Sequence, residues 1–453
     1  MKIVQGFSLF LFFITGVTNT FGQQSAKCGF DYTIKAVTDK YPSFADTLNS
    51  IKNTAVTRSA GKTSAGIEVP VVPVVFHVIL TQSQMTSIGD TAGIIQRINA
   101  QLDVLNRDFN AMNADSVKIP GGFKALYGNA GIRFGLAHTT PDGSATPGYE
   151  IITTTRNGFN IENEGGSGYG FSGAKYFQHG GADAWDTESY LNIWIINPLE
   201  DGAVTNVLGL AIPPYLATDE YGISPVEMGI TVHYAAFGNR RHPLENYIKG
   251  SDLGRTLVHE VAHFFDLLHI WGDDEGACPY NGGSDDGIGD TPLQSTSSSG
   301  CLKYPRFDAC TRTGDGIMFM NYMDYSSDSC LLLFTHGQVA KMQAALQPGA
   351  RAFGLTQQPW LLSYPDPANP PVLNDFTVYP NPADDVLNVV FRKQAHGLGY
   401  IHLVDIMGHV IDIREYDRKS SFYSFSVANL RAGLYFVVLH FDTGREVRKV
   451  LVR

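Results

Sequence analysis

Apolar residues follow two different spacings in the first third of the chain. Apolar residues recur at spacings of 4, 4, 3 and 4 between residues 94 and 109, which predicts an amphipathic helix: Ile94, Ile98, Leu102, Leu105 and Phe109. The run before them predicts a buried strand: Val69, Val71, Val72, Val74, Val75, Phe76 and Val78. Further apolar runs predict strands over residues 131–138, 191–196 and 228–234. Strands and helices that alternate in this way favour an α/β (α+β) domain.

The C-terminal residues have a different pattern. A proline-rich stretch predicts a stiff linker over residues 354–374. Beyond it, short alternating runs are separated by turns that contain glycine and asparagine: 386–391, 400–405, 422–427, 430–439 and 447–452. This spacing predicts a small all-β sandwich domain over residues 375–453.

The N-terminus is typical of an exported precursor. Lys2 precedes an apolar run over residues 7–17, which predicts a signal peptide over residues 1–22. That run is too short to cross a bilayer, and no later segment qualifies. Residues 23–65 are charged and polar, with Arg58 and Lys62 exposed to proteolysis. We interpret them as a pro-segment rather than a core-forming unit, followed by the main domain over residues 66–353.

Composition and charge narrow the class of protein. The 453 residues are 43% hydrophobic and 17% charged, which is ordinary for a soluble globular protein. The net charge of −11 argues against nucleic acid or an anionic membrane as a partner, although solubility alone would also explain it. The chain has five cysteines, so if four of them pair as disulfides in the exported protein, one is left over. Four of them lie within residues 278–330, whereas Cys28 stands alone.

The strongest chemical signal is the pattern H-E-x-x-H-x-x-D-x-x-H over residues 259–269. His259 and His263 are four residues apart, so on a helix they share one face and can bind one Zn²⁺ at about 2.0–2.1 Å. Glu260 stands at the edge of that face, where it can take a proton from a water on the metal. The alternative is a helix of structural histidines, and the spacing favours zinc.

The third histidine of the pattern requires the helix to end. Ten residues of straight helix would separate His259 from His269 by about 15 Å, which is too far for one metal. The chain must therefore reverse between His263 and His269. A sharp reversal needs a positive φ and normally a glycine. Asp266 occupies that position, and aspartate is among the next-best tolerated residues there.

Two stretches after the histidines add candidate site residues. Carboxylates lie among glycines over residues 285–292, a pattern that suits Ca²⁺ or else forms a turn that needs no metal. Farther along, Met323 belongs to a methionine turn that would form an apolar floor beneath the zinc. Tyr325, two residues on, can place its phenol near the metal and stabilise a developing oxyanion.

Residues 67–350 resemble the pappalysin family of metzincin metallopeptidases. The resemblance rests on the histidine motif, residues 270–273, 290–292 and 321–325, and the four clustered cysteines. It implies a mixed sheet with helices above a lower lobe of little regular structure, and a secreted endopeptidase that acts on proteins or peptides. It also implies a structural calcium and two disulfides, at these residues: Asp286 and Thr291 for calcium, and the pairs Cys278–Cys310 and Cys301–Cys330.

The same resemblance suggests a specificity. Members of this family tend to cleave before basic residues, which occupy the position called P1′. Recognition of a basic side chain needs an acidic residue near the methionine turn, and Asp328 is the candidate in this sequence.

The last 80 residues or so resemble the sorting domain of the type IX secretion system of Bacteroidetes. The resemblance rests on residues 379–382, 433–435 and the basic end 448–453. It implies export across the outer membrane, with the secretion machinery as a partner. A small adhesion or glycan-binding sandwich is the alternative, but no aromatic platform supports it.

Cys28 is the candidate for a latency device. Thiolate is a strong zinc ligand, so Cys28 could fill the coordination position that catalysis needs for water. We hypothesise that Cys28 binds the zinc in the precursor until cleavage near Arg58 or Lys62 releases the pro-segment. The cysteine latch is a known metzincin device. A free thiol on a disordered tail and a disulfide to another molecule are the alternatives.

Together these residues predict a secreted zinc endopeptidase. His259, His263 and His269 would hold the zinc, Glu260 would act as general base, and Tyr325 would bind the oxyanion. The rival is a catalytically inactive, zinc-containing binding protein. Glu260 argues against that rival, because a structural zinc site needs four protein ligands and no base.

Overall fold

The computed structural model of the protein describes most of the chain. The described residues are 27–53, 70–162, 164–240, 245–272, 278–281, 283, 285–364, 376–391, 398–406, 409–417, 422–441 and 444–453. The predicted signal peptide, Val69, and the candidate cleavage sites Arg58 and Lys62 lie outside these residues, as do residues 365–375 of the predicted linker.

The main domain is built on a mixed sheet. The strands of this domain are β1 (Val71–Leu80), β2 (Arg133–Leu136), β3 (Tyr149–Thr153), β4 (Phe159–Asn160), β5 (Leu191–Ile196), β6 (Pro198–Glu200), β7 (Ala203–Val204), β8 (Gly209–Ile212) and β9 (Gly229–His233). Strands β4, β6 and β7 form a separate small sheet, and the other six form the mixed sheet. The sheet has the order β2-β1-β5-β9-β8, with β3 also paired to β1. All of its pairings are parallel except that of β8 with β9. Strand β8 therefore forms an antiparallel edge.

Six α-helices occur among the described residues: α1 (Phe30–Lys40), α2 (Phe44–Lys52), α3 (Gln82–Ser87), α4 (Asp90–Asp108), α5 (Arg255–Phe264) and α6 (His336–Ala345). Helix α4 packs against α5, and α5 also contacts β8 and β9. This packing holds the histidine-bearing helix against the antiparallel edge of the sheet. The strand and helix predictions for β1, β5, β9 and α4 agree with these bounds.

The pro-segment differs from the prediction because it does form part of the core. The apolar residues of α1 and α2 are buried in the same cluster as β1, β5, β9 and α5: Phe30, Ile34, Val37, Phe44 and Ile51. Spacings of 4 and 3 put Phe30, Ile34 and Val37 on one face of α1, and a spacing of 7 puts Phe44 and Ile51 on one face of α2. The prediction rested on the charged residues of this segment and not on this apolar periodicity.

The C-terminal domain consists of two antiparallel sheets. Its strands are β10 (Phe376–Tyr379), β11 (Val386–Phe391), β12 (Leu398–Asp405), β13 (Val410–Glu415), β14 (Phe422–Ser426), β15 (Gly433–Phe441) and β16 (Gly444–Val452). The sheets have the orders β10-β11-β14 and β13-β12-β15-β16, with their own apolar core. The predicted architecture, a mixed-sheet α/β (α+β) domain followed by a small β-sandwich, is confirmed.

No helix within the described ranges is long and apolar enough to span a bilayer.

Candidate active site

Helix α5 carries the first two histidines. It begins after Gly254, whose φ of 80° lets the chain turn into the helix, and most of its residues are buried. His259 and His263 lie one turn apart on the same face. The helix stops at Phe264, and Asp266 adopts a φ of 70° in the left-handed region. This reversal brings His269 back toward the other two histidines.

The three imidazoles converge through their Nε2 atoms. The Nε2 of His259 lies 3.1 Å from those of His263 and His269, and the His263 and His269 atoms are 3.0 Å apart. The Nδ1 atoms of His259 and His263 donate to the carbonyl oxygens of Tyr322 and Leu267, both at 2.7 Å. The Nδ1 of His269 lies 2.6 Å from a carboxylate oxygen of Asp31.

These hydrogen bonds fix the tautomers. Because the Nδ1 atoms of His259 and His263 donate to carbonyls, their Nε2 atoms present lone pairs. The Asp31 carboxylate beside His269 Nδ1 favours the same tautomer there, and the three Nε2 atoms meet at one point. Nitrogen ligands at the usual zinc distance stand about 3.3 Å apart on a tetrahedral ion, close to the observed spacing. Burial lowers the pKa of His259 to about 3 and that of His263 far below its usual value. The donor set therefore fits Zn²⁺.

Glu260 is buried between the histidines and strand β8. Its burial raises the pKa of the carboxyl group to about 8. Gly209, the first residue of β8, provides the room for it: a Cβ at Gly209 would lie 2.6 Å from Glu260 Cγ and Oε1. Gly209 was not predicted, since a glycine at the start of a strand has no distinctive signal in the sequence.

The methionine turn supports the site from the other side. Met323 is fully buried, and its carbonyl accepts the amide of Ile270 at 3.3 Å, next to His269. The ring of Tyr325 lies 5.0 Å from that of His269, measured between centroids. The Tyr325 hydroxyl donates to Asp31 Oδ2 at 3.3 Å. The predicted phenol therefore lies beside the histidines.

The pro-segment crosses the site beside strand β8. Gly29 donates to the carbonyl of Gly209 at 2.9 Å, and Leu208 donates to the carbonyl of Lys27 at 2.7 Å. This path brings the Cys28 sulfur and the three histidine ligand atoms within 4.8 Å of one another. The ring of Phe30 stacks on His263, with centroids 4.1 Å apart. Cys28 was predicted as a site residue from the sequence, whereas Lys27, Phe30 and Asp31 were not.

Lys27 lines a small pocket beside His259. Its Nζ donates to the Ser326 carbonyl at 3.3 Å, and Asp324 and Asp328 also line the pocket. Burial lowers the pKa of Lys27, while the charges of Asp328 and Asp324 oppose that shift. Asp328 also accepts the amides of Leu253 at 2.8 Å and Arg255 at 3.2 Å, at the start of α5.

The lower part of the domain contains the two implied disulfides, Cys278–Cys310 and Cys301–Cys330. Nearby, Thr291 donates its hydroxyl to the buried carboxylate of Asp286 at 2.9 Å. Asp290 points elsewhere, because it accepts the Thr335 hydroxyl at 2.6 Å and the Gly337 amide at 2.8 Å, at the start of α6. The structure thus brings together Asp286 and Thr291, while Asp290 bonds α6.

Comparisons with known proteins agree with this geometry. Residues 178–347 match the family described as pregnancy-associated plasma protein-A, and residues 377–453 match the secretion system C-terminal sorting domain. A mutant promirolysin of Tannerella forsythia is 35% identical, with a TM-score of 0.60, over 74% of this chain and 98% of that chain. Mature mirolysin in complex with a cleaved peptide is 36% identical, with a TM-score of 0.56, over 66% of this chain and 99% of that one.

A curated relative matches a shorter part of the chain. An extracellular metalloprotease of Arthroderma benhamiae is 50% identical over 93 residues, which are 20% of this chain and 29% of that protein. The chain thus spans less than a third of the length of this relative.

A three-histidine site on a helix that ends in a left-handed turn, beside a mixed sheet and a methionine turn, defines a metzincin-type metallopeptidase domain. The chain belongs to the pappalysin family of these metallopeptidases and carries a type IX sorting domain at its C-terminus.

Proposed function

We propose that the protein is a secreted zinc endopeptidase that is made as a latent precursor. The observation that carries the proposal is the convergence of three neutral Nε2 atoms beside a buried carboxylate, that of Glu260. When bound, zinc would polarise the scissile carbonyl and acidify a water molecule. Protein or peptide substrates fit this chemistry, and a mirolysin relative has been seen with a cleaved peptide.

Each protein group has a distinct role in this proposal. Glu260 takes the proton of the attacking water and delivers it to the leaving amine. Tyr325 donates a hydrogen bond to the carbonyl oxygen as negative charge develops there. The position of its ring beside His269 supports this role. Met323 stays in the core and keeps the methionine turn in register with the histidines.

Latency would come from Cys28, whose thiolate would take the coordination position that water needs. The sulfur lies among the histidine ligand atoms, 3.5 Å from Glu260 Oε2, which supports this role. Cleavage after the pro-segment, near Arg58 or Lys62, would remove the cysteine and open the site. The existence of a promirolysin among the relatives is consistent with a precursor.

The pocket lined by Lys27 supports a preference for basic P1′ residues. The Lys27 ammonium interacts with the charges of Asp328 and Asp324, which supports a site for a basic side chain beside the histidines. A free cleft would present the same carboxylates to a substrate. We propose Asp328 as the residue that attracts the P1′ side chain.

A structural calcium ion at Asp286 and Thr291 is a further part of the proposal. Burial raises the pKa of Asp286 to about 7, so its negative charge needs compensation. A cation on the turn would supply it. The buried ammonium of Lys341, which interacts with Asp286 and Asp266, is the alternative source of positive charge.

The predicted signal peptide and the C-terminal sorting domain support export as part of the proposal. The proposed parts are a signal peptide (1–22), the pro-segment (23–65), the catalytic domain (66–353), a linker (354–374) and the sorting domain (375–453). The sorting domain would engage the type IX secretion machinery and deliver the enzyme outside the cell or to its surface.

One experiment separates the peptidase from an inactive binding protein. The purified mature enzyme is incubated with casein or gelatin, with and without a zinc chelator. We expect proteolysis that the chelator abolishes and that added zinc restores. Absent or chelator-insensitive proteolysis would favour the binding protein.

A further inference from the structure

Asp31 contacts two parts of the active site at once. Its Oδ1 lies 2.6 Å from the Nδ1 of His269 in a close polar contact, and its Oδ2 accepts the hydroxyl of Tyr325 at 3.3 Å. Asp31 lies in the first turn of α1, three residues after Cys28. One carboxylate of the pro-segment thus binds both the third histidine and the tyrosine.

The three histidines differ in what orients them. His259 and His263 donate to the carbonyls of Tyr322 and Leu267, which belong to the catalytic domain and stay in place after processing. The Nδ1 of His269 contacts Asp31, which belongs to the segment that the proposed processing removes. The environment of one ligand therefore changes between precursor and mature enzyme.

We propose that Asp31 is a positioning residue of the latent state, which strengthens zinc binding through His269 and sequesters the hydroxyl of Tyr325. A carboxylate that accepts the outer N–H of a ligating imidazole fixes the ring and makes its other nitrogen a better donor. The same carboxylate holds the Tyr325 hydroxyl, so this group is unavailable to a substrate oxyanion. The inference deepens the proposed latency and rests on it.

Release of the pro-segment then has two separate effects. Loss of Cys28 opens the coordination position. Loss of Asp31 weakens the binding of His269 to the metal and ends the hydrogen bond between Asp31 and the Tyr325 hydroxyl. Removal of an outer carboxylate of this kind typically costs 10–100-fold in metal affinity or activity. We therefore expect the precursor to retain zinc better than a Cys28 contact alone would explain.

The test measures zinc release to a chromogenic chelator from the intact precursor. A Glu260→Ala background keeps the precursor from processing itself. Asp31→Asn should release zinc roughly 10–100-fold faster than this parent, and Asp31→Glu should restore part of the retention. Asp46→Asn removes the same charge from an exposed site on α2 and should change nothing. Equal release rates for Asp31→Asn and the parent would overturn the proposal.

Substitution with cobalt distinguishes positioning from mere anchoring of the pro-segment. Thiolate bound to Co²⁺ gives a charge-transfer band, which reports Cys28 on the metal. We expect Asp31→Asn to keep this band while metal release accelerates. Loss of the band in Asp31→Asn would mean that Asp31 only anchors α1, and the positioning role would be wrong.

The same spectra separate this inference from the proposed latency. If the parent precursor lacks the thiolate band, the Cys28 latch fails, yet the effect of Asp31 on zinc release is still scored by the Asp31→Asn and Asp46→Asn comparison. Circular dichroism and thermal melting of each variant confirm that the compared precursors are folded.

Discussion

The sulfur of Cys28 lies 3.5 Å from Oε2 of Glu260, and both side chains are buried. A single pro-segment residue therefore lies beside the proposed general base and among the histidine ligand atoms. A substrate carbonyl and its attacking water would need this same space. In the proposed mechanism, the segment that carries Cys28 and a substrate could therefore not occupy the site together.

Cys28→Ala should give a precursor that is active early or that processes itself faster than the parent. The alanine leaves the coordination position open to water while the buried face of α1 can still pack. Time courses of processing by gel electrophoresis, with a fluorogenic peptide assay, measure this. Thr38→Ala is the control, because the Thr38 hydroxyl bonds only the Ile34 carbonyl within its own helix among the contacts described. If the variant stays latent and processes itself at the parent rate, the proposed Cys28 latch is wrong.

Glu260→Ala should keep the fold and the zinc but lose nearly all turnover. A general base typically contributes 10²–10⁴-fold, and the variant lacks it while its three histidines are intact. His263→Ala should instead lose metal, which elemental analysis would detect. If Glu260→Ala keeps more than roughly a tenth of the parent kcat/KM, the assigned base is wrong.

Gly209→Ala should reduce kcat while the protein still folds and binds zinc. The added Cβ would lie 2.6 Å from Glu260, so the carboxylate must move. A displacement of about 1 Å at a catalytic group can cost on the order of 10²-fold in rate. Gly121→Ala is the matched control, since a Cβ there meets nothing within 4 Å. Equal loss of activity in both variants would argue against a specific contact with Glu260.

The parts of the site that depend on short-range spacing could be predicted from the sequence. His259 and His263 are four residues apart, and the reversal at Asp266 follows from the need to bring His269 to the same metal. The helical repeat and the short distance over which side chains can share one metal are enough to predict both features. The β-sandwich strands likewise have local alternation that the sequence displays.

The contacts between distant segments could not be predicted in this way. Asp31 and His269 are 238 positions apart, and nothing near Asp31 in the sequence marks its partner. The burial of the pro-segment had a local signal, since Phe30, Ile34 and Val37 follow a helical spacing. The charged residues of the segment nevertheless led to the prediction that it does not form part of a core. Gly209 has no signal, because its role depends on a side chain from another element.

The pocket beside Asp328 predicts a measurable specificity. Digestion of a peptide library by the mature enzyme, followed by N-terminal sequencing of the products, should give new N-termini that begin with lysine or arginine. Asp328→Asn should reduce the preference for lysine over leucine at P1′, while its remaining carbonyl oxygen can still accept the Leu253 amide. A change in kcat/KM for basic substrates alone would support the role. If the products of the parent enzyme show no preference for lysine or arginine at their N-termini, the proposed role of Asp328 is wrong.

Calcium removal should lower the melting temperature of the mature enzyme more than it changes the zinc content. The carboxylate of Asp286 is buried within the Asp285–Asp290 turn, and its repulsion with the neighbouring carboxylate of Asp285 grows without a cation. Melting curves are recorded with excess calcium and with a calcium-selective chelator. Asp286→Asn should shrink the difference between them. Coincident curves for the parent, together with a lower melting temperature for Lys341→Met, would assign the neutralisation of Asp286 to the buried Lys341 ammonium instead.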